Sequence, residues 1–356
     1  MKVLIATGAS AGHIFPALSV AQCLKKDGHR ILIVTTAGFL KEKIKEEGWE
    51  VVSISSKGFS SSQMFLHSVI FMGKAILESF GILKSFKPDT IAGFGGYGAF
   101  PVVCAGWLLR YPTLIHEQNV VPGRANRILS RMADKIALSF QRTKNFLDSK
   151  KTIVTGCPLR LHPQKVLEEE LLKKFHLKTD LTTIFVLGGS QGSRRINEEF
   201  IAASSLLKDH LQFQVIHLTG MRDFEGVKGE YQKLGIPFYA ADFLDNIQEA
   251  YAVADVVVAR AGAVTVFEIA AFCVPAILIP YPLAGGHQRE NASILSERGV
   301  AVIIEESQLN PHTLKEAILK MLEKKFSKDT LAKKTSDIHF PDADRRLAAE
   351  ILKLKR

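Results

Sequence analysis

Thr265 and Glu268 lie three residues apart, just beyond the run Val256-Val257-Val258-Ala259-Arg260-Ala261-Gly262. The valines suit a strand buried on both faces, Gly262 allows a turn, and Ala263 to Ala271 continues as a helix. That turn aims a helix N-terminus at its ligand, where free backbone N–H groups and the positive end of the dipole favour phosphate. Ala263, Val264 and Thr265 supply the donors and Thr265 adds a hydroxyl. Glu268 follows on the same face, about 5 Å along the axis. Diphosphate at the tip with ribose hydroxyls on the acid is nucleotide-binding chemistry. An equally simple reading is a buried crossover helix whose single early acid favours the dipole.

Other polar clusters stand at the ends of apolar runs. His13 follows the turn Gly8-Ala9-Ser10-Ala11-Gly12. There the helix dipole opposes protonation and favours a neutral imidazole able to take a proton. The alternative is a helix-start histidine bonded to a loop carbonyl. Ser10 and Gly12 belong to that turn, and Tyr97 to a second flexible turn, Phe94 to Pro101. His116, Glu117, Gln118 and Asn119 come directly after another apolar strand. Gly188-Gly189-Ser190-Gln191-Gly192 can cradle an oxyanion or a sugar, because small residues let backbone N–H groups approach closely. Beyond Ala276 to Pro280, the segment Gly285 to Asn291 offers His287, Gln288 and Asn291 to a sugar, or Asn291 as a brace for its own loop.

Three patterns point elsewhere. Neither glycine turn is GxGxxG, which disfavours a nicotinamide dehydrogenase. GGSQG fits GxSxG, with Asp255 and His287 following in hydrolase order, so a serine hydrolase is the rival from another class. It leaves the first half of the chain unexplained. Asp342-Ala343-Asp344 resembles a metal-binding DxD, but it precedes a terminal helix with no strand ahead of it and is better explained as a helix cap.

The elements that position these residues alternate. Lys2 to Thr7, His29 to Thr35, Glu50 to Ile54, Thr90 to Gly93, Thr113 to His116 and Lys135 to Leu138 read as strands, with helical stretches such as Ala17 to Lys26 between several of them. The pattern pauses at Gly156-Cys157-Pro158 and restarts at Thr182 to Leu187. It then gives strands at Gln214 to Leu218, Pro237 to Ala240, Val256 to Ala259, Ala276 to Pro280 and Ala301 to Ile304. The expected class is α/β, two Rossmann-like domains with parallel sheets facing across a cleft. The domains are placed at 1–158 and 159–335, with a terminal helical segment, 336–356, returning to the first. A chain of 356 residues is long for one core.

The net charge of +10 and pI near 9.3 imply an anionic partner. The lysines are spread over helices and no aromatic-basic motif stands out, so nucleic acid is not expected. Cys23, Cys104, Cys157 and Cys273 lie far apart without metal-ligand spacing, as reduced core thiols would. The first apolar run breaks at Gly8, unlike a signal peptide, and no uninterrupted run spans a bilayer. Met64 to Leu83 carries a broad apolar stripe near Lys57, Lys84 and Lys87. It is either a core helix or a core helix that also touches anionic lipid.

In this order the clusters resemble the MurG family of peptidoglycan glycosyltransferases. The match runs through GxxxGHIFPAL at Gly8 to Leu18, GFGGYGAFP at Gly93 to Pro101, HEQN at His116 to Asn119 and GCPLR at Gly156 to Arg160. It continues through GGSQGSRRIN at Gly188 to Asn197, RAGAVTVFEIAA at Arg260 to Ala271 and HQRENA at His287 to Ala292. The resemblance implies a GT-B fold with the donor held mainly by the second domain. It places Glu268 on the ribose hydroxyls, Ser190 and Thr265 on the diphosphate, Leu244 on the uracil through its backbone, Arg160 near the nucleotide and Gln288 on the sugar hydroxyls. His13, His116, Glu117 and Asn119 would form the acceptor side. The family's usual GGTGGH turn carries Ala9, Ser10 and Ala11 here, and two added methyl groups narrow it.

The implied reaction is inverting transfer of N-acetylglucosamine from UDP-N-acetylglucosamine to the muramyl 4-hydroxyl of an undecaprenyl-linked muramyl-pentapeptide. His13 is the first choice of base and His116 with Glu117 the second. No cofactor and no protein-bound metal is expected. The implied place of work is the cytoplasmic face of the bacterial inner membrane, as a peripheral protein. A UDP-N-acetylglucosamine 2-epimerase, another GT-B enzyme, or a sugar-nucleotide-binding subunit remain rivals.

Overall fold

Val3-Leu4-Ile5-Ala6 carries no in–out alternation, and all four side chains are fully buried. That pattern marks a parallel strand covered by helices on both faces. It recurs in Ile184 to Val186 and in Val256 to Ala259. The computed structural model of the chain describes residues 1–36, 44–45, 47–55, 65–148, 150–160, 167–283 and 286–355, without the side chains of 65–69. The chain divides into two units, Met1–Arg160 with Asp342–Arg356, and Leu161–Pro341.

In the first unit, strands β1 (Lys2–Ala6), β2 (Arg30–Thr36), β3 (Val51–Ile54), β4 (Thr90–Gly93), β5 (Thr113–Glu117), β6 (Lys135–Leu138) and β7 (Thr152–Val154) form one sheet. Its order is β3-β2-β1-β4-β5-β6-β7 and its pairs are parallel. Helices α1 (Ala11–Lys26), α2 (Phe65–Phe86), α3 (Gly96–Leu108) and α4 (Arg124–Leu129) connect the strands. The strand order reverses between β1 and β4. At such a switch point the loops leave in opposite directions, and the carboxyl ends of the strands open to a ligand.

The second unit repeats the plan with β8 (Thr182–Leu187), β9 (Phe213–Leu218), β10 (Phe238–Ala241), β11 (Val256–Ala259), β12 (Ala276–Leu278) and β13 (Ala301–Ile303). The order is β10-β9-β8-β11-β12-β13, again parallel, with the reversal between β8 and β11. Its helices are α5 (Glu168–Lys174), α6 (Arg194–Leu207), α7 (Phe224–Leu234), α8 (Ile247–Val253), α9 (Ala263–Phe272), α10 (His287–Ser296), α11 (Pro311–Glu323) and α12 (Lys328–Thr335).

The last helix, α13 (Ala343–Leu352), belongs to the first unit. Leu347, Ala348 and Ile351 enter the same core as Val3, Ile14 and Leu24, and Glu350 pairs with Lys135 on β6. The observed boundaries lie a few residues from those placed in the sequence. Leu159 stays with the first unit because it is buried and its carbonyl accepts the Ser19 hydroxyl at 3.0 Å. Ile338 is buried in the second unit, where Asp337 pairs with Arg298.

Other expectations need correcting. Helix α1 begins at Ala11, six residues before Ala17, with Pro16 inside it; proline keeps a helical φ, and here it gives up the bond to the Gly12 carbonyl and crowds that oxygen. Strand β7 was not expected, because Thr152–Val154 is short and only half-buried. Asp342 stands at the start of α13 without capping it; its carboxylate binds Arg346 one turn on, at 2.8 Å. In the α2 stripe, Met72 and Leu83 are buried while Ile70 and Leu77 are 63% and 71% exposed. Lys57, Met64 and Gly285 fall outside the described residues, as do the side chains of Phe65, Leu66 and Val69. Among the described residues no helix is long and apolar enough to cross a membrane.

Leu347→Ala tests the clasp of α13. Leu347 is fully buried, and such a truncation costs about 2–5 kcal/mol. Both tryptophans, Trp49 and Trp107, lie in the first unit, so the fluorescence transition in denaturant is expected to move to lower concentration. An unmoved transition would mean that α13 adds nothing to that core.

Candidate active site

At the first switch point two glycine turns press together. Gly8 donates its N–H to the Gly95 carbonyl at 3.0 Å, and Phe94 donates to the Ala6 carbonyl at 2.7 Å. Gly95 and Gly96 hold φ of 78° and 74°, values that favour glycine. A Cβ on Gly98 would collide with the Thr7 carbonyl. The His13 ring lies on this floor, so a Cβ at Gly95 would come within 3.0 Å of its Cδ2. Its Nδ1 is 2.6 Å from the exposed Ser10 hydroxyl. Burial lowers the His13 pKa below its ordinary 6.5, and the Glu117 charge pulls the other way. The imidazole is therefore mostly neutral near pH 7 and able to accept a proton. Gly12 is exposed beside it, and Tyr97 is 41% exposed.

His116 and Glu117, at the end of β5, are fully buried with their polar atoms committed. The Gln118 amide nitrogen lies 3.3 Å from His116 Nδ1, while Nε2 is 3.1 Å from Ser139 Oγ and 3.3 Å from the Gly156 carbonyl. Burial pushes the His116 pKa down to about 4. Glu117 Oε1 accepts from the Asn119 backbone and side chain, and Oε2 from the Gly123 N–H and the Asn126 amide, all at 2.8–3.1 Å. Neither residue presents a lone pair to a substrate hydroxyl. The pair expected as second-choice base is instead a scaffold, tying β5 to the next loop and to α4. Asn119, expected on the acceptor side, is half-buried and serves Glu117. Asn126 was not expected at all; it bridges Glu117 and the His116 carbonyl, and its Oδ1 is buried without a partner. Nothing in the sequence around it marks it out.

At the second switch point α9 starts after Gly262 with no side chain capping it. The first-turn N–H groups of Ala263, Val264 and Thr265 therefore end there. Ser190 is exposed in the turn after β8, and Leu244 is half-buried in the loop between β10 and α8. Glu268 is 9% exposed. Tyr251 Oη donates to its Oε2 at 3.0 Å, and among the described residues no donor meets Oε1. Burial raises the Glu268 pKa from 4.5 to about 7, with the Tyr251 bond acting downward. A plain crossover helix gives no reason to bury an acid on a single donor, so the burial favours a ligand.

Gln288 Oε1 accepts the Tyr281 N–H at 2.9 Å. Asn291, expected to face a substrate, is fully buried and donates to the Ala261 carbonyl at 3.2 Å, bracing the loop after β11. Arg160, expected near the nucleotide, pairs with Glu47 at 2.9 Å within the first unit. Arg260 has no role assigned by the sequence pattern. Its buried guanidinium donates to Ser193 Oγ at 2.8 Å and to the Ile279 and Pro280 carbonyls at 3.2 and 3.4 Å. It also pairs with Glu306 and lies over the Tyr281 ring. It ties the loops after β11 and β12 to the start of α6. Its signal was present, as the one charge between Asp255 and Glu268.

The hydrolase arrangement is ruled out by topology. Asp255 accepts the Thr183 N–H at 2.7 Å, at the amino ends of the strands, whereas Ser190 follows their carboxyl ends. Thr183 to Leu187 alone spans about 13 Å. Among the described residues no three His, Cys, Asp or Glu side chains converge as a metal site would require.

The glycosyltransferase family 28 N-terminal domain matches residues 3–138, and the family's C-terminal domain matches 183–347. The UDP-N-acetylglucosamine–N-acetylmuramyl-(pentapeptide) pyrophosphoryl-undecaprenol N-acetylglucosamine transferase of Halothermothrix orenii is 38% identical over 335 residues, 90% of each chain. The chain belongs to the MurG family. The crystal structure of Acinetobacter baumannii MurG matches with a TM-score of 0.77 at 28% identity, over 99% of both chains. The fold is the GT-B arrangement of two Rossmann-like domains. A UDP-N-acetylglucosamine 2-epimerase from Neisseria meningitidis, at 16% identity and a TM-score of 0.69, over 99% of this chain and 100% of that one, shares that fold alone.

A titration followed by histidine NMR, with His13→Asn to assign the resonance, is expected to give His13 a pKa below 6.5. Glu117→Gln should lower it further, since the carboxylate favours the imidazolium. A His13 pKa above the ordinary value would contradict this electrostatic account.

Proposed function

We propose that the chain transfers N-acetylglucosamine from UDP-N-acetylglucosamine to the 4-hydroxyl of the muramyl sugar of lipid I, giving lipid II in peptidoglycan synthesis. The observation that carries this reading is the identity to a MurG-family transferase across both units, each with its polar cluster at its own switch point. In the second unit the N–H groups of Ala263, Val264 and Thr265 take the diphosphate, with Ser190 beside it. Glu268 takes the ribose hydroxyls, Leu244 the uracil and Gln288 the sugar.

In the first unit His13 is the base, with Ser10 holding Nδ1 and so fixing the ring. The 4-hydroxyl oxygen attacks the anomeric carbon with inversion and its proton passes to His13. The bond to UDP breaks, and its electron pair goes to the diphosphate at the start of α9.

The same reading extends to a membrane face. Ile70, Lys74, Leu77 and Lys84 share the outward side of α2. The end of α3, which packs on α2, exposes Trp107, Leu108 and Leu109 next to Arg110. Apolar side chains interspersed with cations suit an anionic bilayer surface, which is where the lipid-linked acceptor resides. On this reading the enzyme works as a peripheral protein on the cytoplasmic face of the inner membrane.

UDP release that requires both substrates tests the transfer; formation of an epimer without acceptor would instead mark an epimerase. In that assay Glu268→Ala should raise the donor KM about thirtyfold, on the order of 2 kcal/mol. His13→Ala should lower kcat with little change in donor KM. Normal turnover in the His13 variant would remove it as base. Ile70→Ser with Leu77→Ser should weaken sedimentation with anionic vesicles while leaving folding intact, because both side chains are exposed. Equal binding would discard the membrane face on α2.

A further inference from the structure

We propose that Tyr251 is a positioning residue of the donor site, the group that favours the ionised form of Glu268 and holds its carboxylate in one orientation for the ribose. The inference rests on Glu268 as the ribose ligand and deepens that reading. Tyr251 comes from α8, and its hydroxyl donates to Glu268 Oε2 at 3.0 Å. The residue is 1% exposed. Its ring meets Phe185 edge-on at 5.0 Å and stacks on Phe272 at 5.4 Å. With both sides of the ring fixed, the hydroxyl has one direction in which to point. Burial, reinforced by the Glu268 charge, pushes the phenol well above its ordinary pKa of 10. It therefore stays a donor throughout the working range.

Among the described residues no other group answers the acid. The elements packed against α9 include α8, α10 and α12. On α8, Glu249 is bound to Lys174 at 2.6 Å. On α10, Arg289 is tied to Glu305 at 2.8 Å, and neither His287 nor Glu290 bears on Glu268. On α12, Lys328 and Asp329 act on Cys273. The titration of Glu268 is governed by burial, which raises it, and by Tyr251, which lowers it. A ribose diol needs acceptors, and an ionised carboxylate is acceptor-only, whereas a protonated one presents its own O–H. The Tyr251 bond favours the ionised form and occupies Oε2. That leaves Oε1, which no described donor meets, as the atom offered to the diol.

The test is calorimetric binding of UDP-N-acetylglucosamine to the full chain from about pH 5.5 to about 8.5, where the diphosphate and uracil of this ligand keep their charge. In the wild type, affinity should rise with pH through the region of 7 as Glu268 ionises. Tyr251→Phe keeps the packed ring and should move that inflection up by about one unit, so that affinity falls several-fold near pH 7 and is largely regained at the alkaline end. An equal loss at every pH would reduce Tyr251 to packing, and an unchanged profile would overturn the proposal as well. Glu268→Gln separates the two readings. Weak, pH-independent binding in this variant, alone or with Tyr251→Phe, is expected. Wild-type affinity in Glu268→Gln would instead remove the ribose assignment itself.

Discussion

The loops at the carboxyl ends of β1 and β4 touch backbone to backbone, and the cluster around His13 depends on that contact. Gly8 bonds Gly95, Gly96 lies against the Gly8 Cα, and Gly98 lies under the Thr7 carbonyl. A side chain at Gly96 or Gly98 would separate the loops. Because they meet, the His13 ring has a floor of bare backbone and a hydroxyl partner, and it is buried enough to remain neutral. The Glu117 network acts one layer deeper. By taking four hydrogen bonds from the segment 119–126, it fixes the loop after β5 and leaves its charge close enough to act on His13.

The second unit solves a different problem on the same topology. There the turn after β8 presses against the loop after β9, and a Cβ on Gly192 or Gly220 would strike the opposite backbone. Asn197 secures the pair by donating to the Thr219 carbonyl and to Asp223, at 2.9 and 2.8 Å. His217 supports Asn197 from behind at 3.1 Å, held neutral by burial that lowers its pKa to about 3. The energetic burden falls on Glu268. A carboxyl whose pKa rises from 4.5 to about 7 on folding removes stability as pH climbs through that window, by about 3 kcal/mol once past its upper end. Hydrogen bonds from a bound ribose diol would offset that cost, which is why the acid makes sense as a ligand-binding group and poor sense as a structural one.

Shared architecture locates such sites without naming their chemistry. An epimerase at 16% identity has the same two-domain plan. The transferase reading comes from sequence identity across both units, and the roles of single residues come from local geometry. That geometry demoted His116, Glu117 and Asn291 from substrate-facing positions to braces and added Arg260 and Asn126; the Glu117 and Asn126 bonds form within one loop, whereas those of Arg260 and Asn291 join residues distant in sequence.

Much of the fold was legible because its causes are local. Uninterrupted apolar strands such as Val256 to Ala259 require burial on both faces, glycine runs after them require turns, and the repeat of that unit at Gly188 gives two Rossmann-like sheets. The helix start at Ala263 with Glu268 one turn along is likewise a matter of spacing. Strand β7 escaped notice because a three-residue half-buried strand has no periodicity, and the start of α1 because Pro16 reads as a breaker although its φ is helical. Only tertiary structure decided which polar groups are spent and which are available. A histidine and an acid look equally reactive in HEQN and at His13. Four donors converge on Glu117 only because the loop 119–126 folds back on it, and the closed shell around His116 and the lone tyrosine on Glu268 join separate elements that meet only when the sheets form.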